Sequence, residues 1–180
     1  MAEYLTFVFK CLYLLLPAYF ANMMPVFVQK INFLNFPVDF NKKLNNQSVF
    51  GKNKTFRGFF FGIFIAVITA CAQHFLYSLP FFEVISFFDY RNWFLFGFLM
   101  GFGALTGDLA KSFFKRRLGI KPGARFVPFD QLDFIAGALI FVIPVFEVTW
   151  NIFLTSLILS FLLHILFKHI GFYLKINDKW

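Results

Sequence analysis

The chain has 180 residues, of which 59% are hydrophobic and 14% charged, and its formal net charge is +8. A soluble domain of this size is near half apolar and about one quarter charged. One soluble core is therefore excluded as the place for so much apolar surface, and a bilayer takes the surplus. In a membrane protein a positive balance speaks for Lys- and Arg-rich cytoplasmic loops or a phosphate site, not for nucleic acid. The cysteines, Cys11 and Cys71, both fall inside apolar runs. They suggest neither a disulfide framework nor a metal site.

The first apolar run is Leu5–Val28. It is too long for a cleaved signal peptide and lacks a small-x-small site after it, so it reads as a span. Within it, Pro17-Ala18-Tyr19-Phe20-Ala21-Asn22 puts an amide at mid-to-inner depth. A helix kink or interhelical hydrogen bond explains Asn22 best, with a lipid head-group contact as the alternative. The segment 30–57 follows, with Lys30, Lys42, Lys43, Lys52, Lys54 and Arg57. It ends in Gly51-Lys52-Asn53-Lys54-Thr55-Phe56-Arg57-Gly58. Cations, an Asn, a Thr and two glycines suit phosphate oxygens. A positive anchor with a helix start at Thr55 explains the same residues equally well. The spacing is not that of a P-loop.

The second and third runs are Gly58–Leu79 and Trp93–Ala110, and the connection between them holds Glu83, Asp89 and Arg91. Gly97 and Gly101, then Gly103 and Gly107, repeat at a spacing of four on the third run, which favours close helix packing. Gly103 and Gly107 could also admit a ligand to the backbone. If that helix continues past the membrane, Asp108, Lys111, Ser112 and Lys115 share one face. Arg116 and Arg117 come next, then Leu118-Gly119-Ile120-Lys121-Pro122-Gly123, which cannot be regular helix. The segment 111–131 closes with Pro128-Phe129-Asp130-Gln131-Leu132-Asp133. Capping is the plainer reading for Asp130. Asp133 stands deeper, where a carboxylate entering a membrane helix marks a functional site.

The last runs are Leu132–Trp150 and Ile152–Leu174, joined by a turn near Glu147–Asn151 without a basic residue. The five runs hold about 17–24 residues each, against the ~20 that cross a bilayer, and none alternates as a barrel strand would. The sequence thus predicts an all-α polytopic membrane protein with about five spans in one catalytic domain, residues 1–180. Of 17 basic residues, all but Lys10 and Arg91 lie in segment 30–57, segment 111–131 and the C-terminal Lys168, Lys175 and Lys179. Alternating spans place those segments together, with the N-terminus outside and the C-terminus cytoplasmic. His74, His164 and His169 read as structural.

Carboxylates suit a hard divalent ion and cations suit phosphates. Together they suit a metal–nucleotide complex at one membrane face. These motifs resemble those of the CDP-archaeol synthase family, relatives of the CDP-diacylglycerol synthases, and the resemblance covers nearly the whole chain. It is carried by 17–22, 51–58, 107–117, Lys121-Pro-Gly123 and 128–133. Bacterial relatives have Arg where this chain has Gln131, which favours the archaeol-type branch. The resemblance implies a Mg²⁺-dependent cytidylyl transfer. In it a lipid phosphate attacks the α-phosphate of CTP and pyrophosphate leaves, at the cytoplasmic face of the bilayer. It implies metal binding by Asp108, Asp130 and Asp133, with Lys111 at the reacting centre. It assigns phosphate or nucleotide contacts to Asn53, Lys54, Thr55, Arg57, Ser112, Lys115, Arg116, Arg117 and Lys121, and leaves Asn22 a possible substrate contact. The alternatives are phosphatidic acid as acceptor or, in a different class, a small anion transporter. The sequence sets no oligomeric state.

Overall fold

The computed structural model describes residues 2–44, 46–121, 124 and 126–173. In chain order it consists of α1 (Ala2–Phe27), a single 3-10 turn at Val28–Lys30, a small hairpin of β1 (Lys43–Leu44) and β2 (Gln47–Ser48), α2 (Phe56–Leu76), the short α3 (Pro80–Val84), α4 (Trp93–Arg117), α5 (Phe129–Val142) and α6 (Trp150–Tyr173). Four of these helices, α1, α2, α4 and α6, are long and apolar enough to cross a membrane. They coincide with four of the five expected spans.

The fourth expected span differs. Its helix α5 has 14 residues, roughly 21 Å at 1.5 Å per residue, less than the ~30 Å of a hydrocarbon core. The apolar run continues to Trp150, but the helix stops at Val142, just before Ile143-Pro144. Ile143 keeps helical dihedrals and its bond to the Leu139 carbonyl, but Pro144 has no N–H to continue the ladder. Val145 and Phe146 turn back onto the Val142 carbonyl. Hydropathy counted apolar residues there and could not see the turn.

The helices close on small residues. A Cβ on Gly97 would lie 2.7 Å from Val67 Cα, and one on Gly101 2.8 Å from Ala66 Cβ, so this pair faces α2. A Cβ on Gly103 would lie 2.6 Å from the Gly137 carbonyl oxygen, and one on Gly107 2.1 Å from that of Asp133. The second pair therefore faces α5, and backbone packing occupies it. Cys11, Leu14, Leu15, Ala18, Phe96, Met100, Ile135 and Leu139 fill the space between α1, α4 and α5 without exposed surface. The outward faces of α2 and α6 stay apolar and exposed, as at Phe60, Phe64, Phe75, Leu154, Ile158 and Leu162. Such continuous apolar surface is suited to lipid.

Candidate active site

α4 runs about two turns past Ala110 before it ends at Arg117. That extension brings Asp108, Lys111, Ser112 and Lys115 to one face. Tight contact through Gly103, Gly107 and Gly137 presses α5 against it. Asp130 and Asp133, three residues apart on the first turns of α5, then point at the α4 lysines. From the other side, Thr55 starts α2 by accepting a hydrogen bond from Gly58 N at 3.3 Å. Lys54, one residue earlier, reaches Asp108 and forms an ion pair with it.

Lys111 is the centre of this cluster. Its Nζ lies 2.9 Å from Asp133 Oδ2, 3.1 Å from Asp108 Oδ1 and 3.4 Å from Asp130 Oδ1. Lys115 donates to both oxygens of Asp130, at 3.0 and 3.3 Å, and to the Ala124 carbonyl. Asp130 Oδ2 also accepts from Phe126 N at 2.6 Å, so this carboxylate reaches back to the loop and does not cap the free N–H groups ahead of it. Burial works against ionisation of Asp130. The Lys115 hydrogen bond, the Phe126 N–H and the Lys111 charge outweigh it and hold the carboxyl below its usual range.

Asp133 is treated differently. Its side chain is 6% exposed, and neither oxygen has a hydrogen bond although Lys111 is within ion-pair distance. A buried carboxylate compensated by one off-axis ammonium is costly. Three carboxylates around one point, one of them short of donors, form an all-oxygen set of the kind a hard divalent cation takes. Their oxygens are the kind of donor such an ion takes. As they stand, the ammonium fills the middle, and among the described residues no three acids make a ready cage.

Two cavities meet at the cluster. One, of about 440 Å³, is lined mainly by polar and charged residues, Ser48, Lys52, Asn53, Lys54, Lys111, Ser112, Lys115 and Arg116, with Phe50 and Gly51. The other, of about 570 Å³, is an apolar groove between α4 and α5, walled by Ala110, Phe114, Phe126, Phe129, Ala136, Ile140 and Phe141. Among the described residues its charged lining is Lys111 and Asp133. Lys111 belongs to both cavities. A phosphate held near it could sit with its polar part in one and its apolar substituent in the other.

Several residues singled out by sequence stand elsewhere. Arg117 donates to the carbonyls of Leu44, Gln47 and Ser48 at 2.8, 3.4 and 2.9 Å, and stacks over Phe113 at 5.2 Å. It clamps the hairpin that forms one wall of the polar cavity. Arg57 is buried and donates to the Ile31 carbonyl. Thr55 is occupied as the α2 cap. Asn22 is half-buried within α1, which runs unbroken through Pro17. Lys121 is exposed and lines neither cavity, and Pro122 and Gly123 lie outside the described residues.

The sequence reading passed over Asp39, which is 7% exposed. Its carboxylate accepts from the N–H groups of Asn41, Phe50 and Gly51 at 3.0 to 3.2 Å, shaping the loop before Lys52. Burial opposes its ionisation, but those N–H donors prevail and keep its pKa low. The signal was present in a lone acid followed by Asn41 in a basic loop, a turn-forming pattern.

Comparison with known proteins gives a consistent picture. Residues 4–180 match the family model described as "CarS-like: CDP-archaeol synthase". The chain is 34% identical to a CDP-archaeol synthase of Methanococcus maripaludis, covering 99% of each protein. It is 36% identical to one of Saccharolobus islandicus, covering 92% of each. It also resembles a solved intramembrane enzyme for archaeal membrane lipids biosynthesis, with a TM-score of 0.65 and 30% identity, over 87% of this chain and 90% of that one.

Proposed function

This chain belongs to the CDP-archaeol synthase family, and we infer that it is a membrane-embedded, CTP-dependent cytidylyltransferase that makes a CDP-activated lipid. A lipid phosphate oxygen bonds to the α-phosphorus of CTP. The bond from that phosphorus to the bridging oxygen breaks, and pyrophosphate departs. The observation that supports this reading best is the sharing of Lys111 by a polar and an apolar cavity.

In this reading the triphosphate occupies the polar cavity beside Lys52, Lys54, Lys115 and Arg116, with Asn53 and Ser112 as neutral donors. The acceptor lies in the apolar groove with its phosphate at Lys111. Its class is a phosphorylated isoprenoid ether lipid, as the relatives' name suggests. Such a transfer needs positioning and charge neutralisation more than covalent help. Asp108, Asp130 and Asp133 would hold Mg²⁺, which when bound supplies positive charge to the triphosphate. Lys111 and Lys115, released from the carboxylates, are free to take phosphate oxygens. Arg57, Arg117 and Thr55 serve by holding the polar cavity's frame. Asn22 and Lys121 are assigned to neither cavity. The site faces the cytoplasm, in keeping with the basic loops.

An anion transporter would need polar groups through the depth of the bundle. The centre of this one is filled mainly by Leu14, Leu15, Met100, Ile135 and Leu139, and Gln73, Ser156 and Ser160, polar side chains buried in its membrane helices, carry no charge. The test is pyrophosphate release from CTP by purified protein in micelles with Mg²⁺. Release is expected only when a lipid phosphate is added, and faster with an unsaturated diether phosphate than with phosphatidic acid. Folded protein that releases none with either lipid would refute the synthase reading.

A further inference from the structure

The loop after α1 carries a feature that the transfer reaction does not use. Phe33, Phe36 and Phe40 are 50%, 41% and 63% exposed. They are not scattered. Phe33 packs edge-on against Phe60 at 5.7 Å, and Phe60 stacks on Phe64 at 6.4 Å along the outward face of α2. Phe36 and Phe40 both rest on Phe56, the first residue of α2, at 4.9 and 5.4 Å. The lipid-facing surface of α2 thus continues without a break onto the loop.

The charges nearby follow the same logic. Lys30, Lys42 and Lys43 flank the aromatic patch and are exposed. Asp39, the acid between Phe36 and Phe40, is turned inward onto three backbone N–H groups. The loop therefore exposes aromatic and cationic groups together with the neutral amides of Asn32, Asn35 and Asn41, and its acid is turned away. That combination suits the boundary between hydrocarbon and acidic head groups. Phe40 has φ 50°, a conformation a bulky residue keeps only when its surroundings hold it. Phe40 N bonds to the Pro37 carbonyl at 3.0 Å, and Lys42 N to that of Asp39 at 2.8 Å.

We propose that residues 31–43 form an in-plane membrane anchor, with Phe33, Phe36 and Phe40 entering the leaflet beside the polar cavity and Lys30, Lys42 and Lys43 on its acidic head groups. The anchor is tied to the site. Val38 N donates to the Lys54 carbonyl at 2.8 Å, and Phe56 N to that of Phe36 at 3.1 Å. The depth at which the aromatic patch rests therefore sets the height of Lys54 against Asp108.

Spin-label depth measurement tests this. In a Cys11→Ala, Cys71→Ala background, nitroxide labels are placed at Phe40→Cys and, separately, at Gln47→Cys on the exposed hairpin. The protein is held in nanodiscs containing phosphatidylglycerol. The label at position 40 is expected to be broadened by oxygen and shielded from a water-soluble nickel chelate, and the label at 47 to show the reverse. Replacing the acidic lipid by phosphatidylcholine should raise nickel access at 40. Equal nickel access at both positions in acidic nanodiscs would overturn the anchor. So would dipolar broadening at 40, which would mean that a second copy covers the patch. Access at 40 that ignores the change of lipid would refute the role of the lysines.

Discussion

Lys111 Nζ stands 2.9 Å from Asp133 Oδ2, joining two helices whose backbones nearly touch at Gly107 and Gly137. The pair is asymmetric. The lysine has two further carboxylate neighbours, whereas the ammonium partner of Asp133 is Lys111. An ammonium can move on its four-carbon stem; an aspartate carboxylate, one methylene from its helix, cannot move far. In the proposed function the fixed member would hold a metal, and the mobile member would leave for a phosphate.

Asp133→Asn should therefore be severe for activity. The change keeps the volume and removes one of three converging charges. CDP-lipid formation is expected to fall by about two orders of magnitude or more, the scale of one lost electrostatic contact to a transition state. The protein should stay folded, because the amide keeps the volume of the carboxylate and can still accept from Lys111. Turnover near the wild-type rate at saturating Mg²⁺ would remove Asp133 from the metal site.

Lys111→Met separates the lysine's two duties. Without the ammonium, the carboxylates lose their internal counter-ion. Divalent-ion affinity in the absence of CTP should then rise tenfold or more, since close charge pairs couple by about 1.5 kcal/mol or more. Turnover should fall even at saturating CTP, because a transition-state contact is gone. Mn²⁺ titration followed by electron paramagnetic resonance reads the first effect and steady-state kinetics the second. Unchanged Mn²⁺ affinity would mean that the lysine does not compete for the metal position.

The carboxylates and lysines of α4 and α5 were legible in the sequence because helix periodicity is local. Asp108, Lys111 and Lys115 fall on one face by spacing alone, and Asp133 is conspicuous as an acid entering an apolar run. The glycine pairs announced close packing, though not that Gly97 and Gly101 serve α2 while Gly103 and Gly107 serve α5. The loops were less open to reading. Arg117 looks like one more cation in a basic run. Its carbonyl partners lie about seventy residues away in the chain, and no local pattern encodes them. The early end of α5 was hidden for a related reason: Pro144 sits in residues as apolar as the helix itself, so hydropathy passed over a position that has no N–H to continue the ladder.

Arg117→Ala tests whether that guanidinium shapes the cavity or touches phosphate. Losing the clamp should loosen the hairpin and the wall at Ser48. We expect the KM for CTP to rise about tenfold, with kcat within about twofold of wild type, the pattern of lost ground-state binding. The hairpin should also become more open to limited proteolysis. A fall in kcat at unchanged KM would instead place Arg117 on the reacting phosphates.

Gly137→Ala probes the helix contact on which the whole site depends. The added Cβ would lie 2.3 Å from the Gly103 carbonyl oxygen and 2.8 Å from Gly107 Cα. Both atoms belong to the backbone, so α4 and α5 must separate. Overpacking of this kind costs about 1–3 kcal/mol, seen as a lower melting temperature in detergent. Turnover should drop further than stability alone explains, because separation pulls Asp133 from Asp108 and Lys111. A variant with normal turnover and normal melting would show that the contact is looser than described.

The proposed orientation of the bundle rests on charge and can be tested at two exposed positions, one before α2 and one after it. Glu83 lies on the short helix α3, between α2 and α4, and Gln47 lies on the hairpin beside the polar cavity. Both are exposed. If the basic segments face the cytoplasm, an impermeant maleimide added to intact cells should label Glu83→Cys and spare Gln47→Cys. Cys11 is fully buried, and Cys71 lies within the membrane-spanning part of α2, so neither should contribute background. Opening the cells should then expose Gln47→Cys to the reagent. This outcome would put the polar cavity where cytoplasmic CTP can reach it. Labelling of Gln47→Cys alone in intact cells would invert the bundle and cut the site off from its nucleotide.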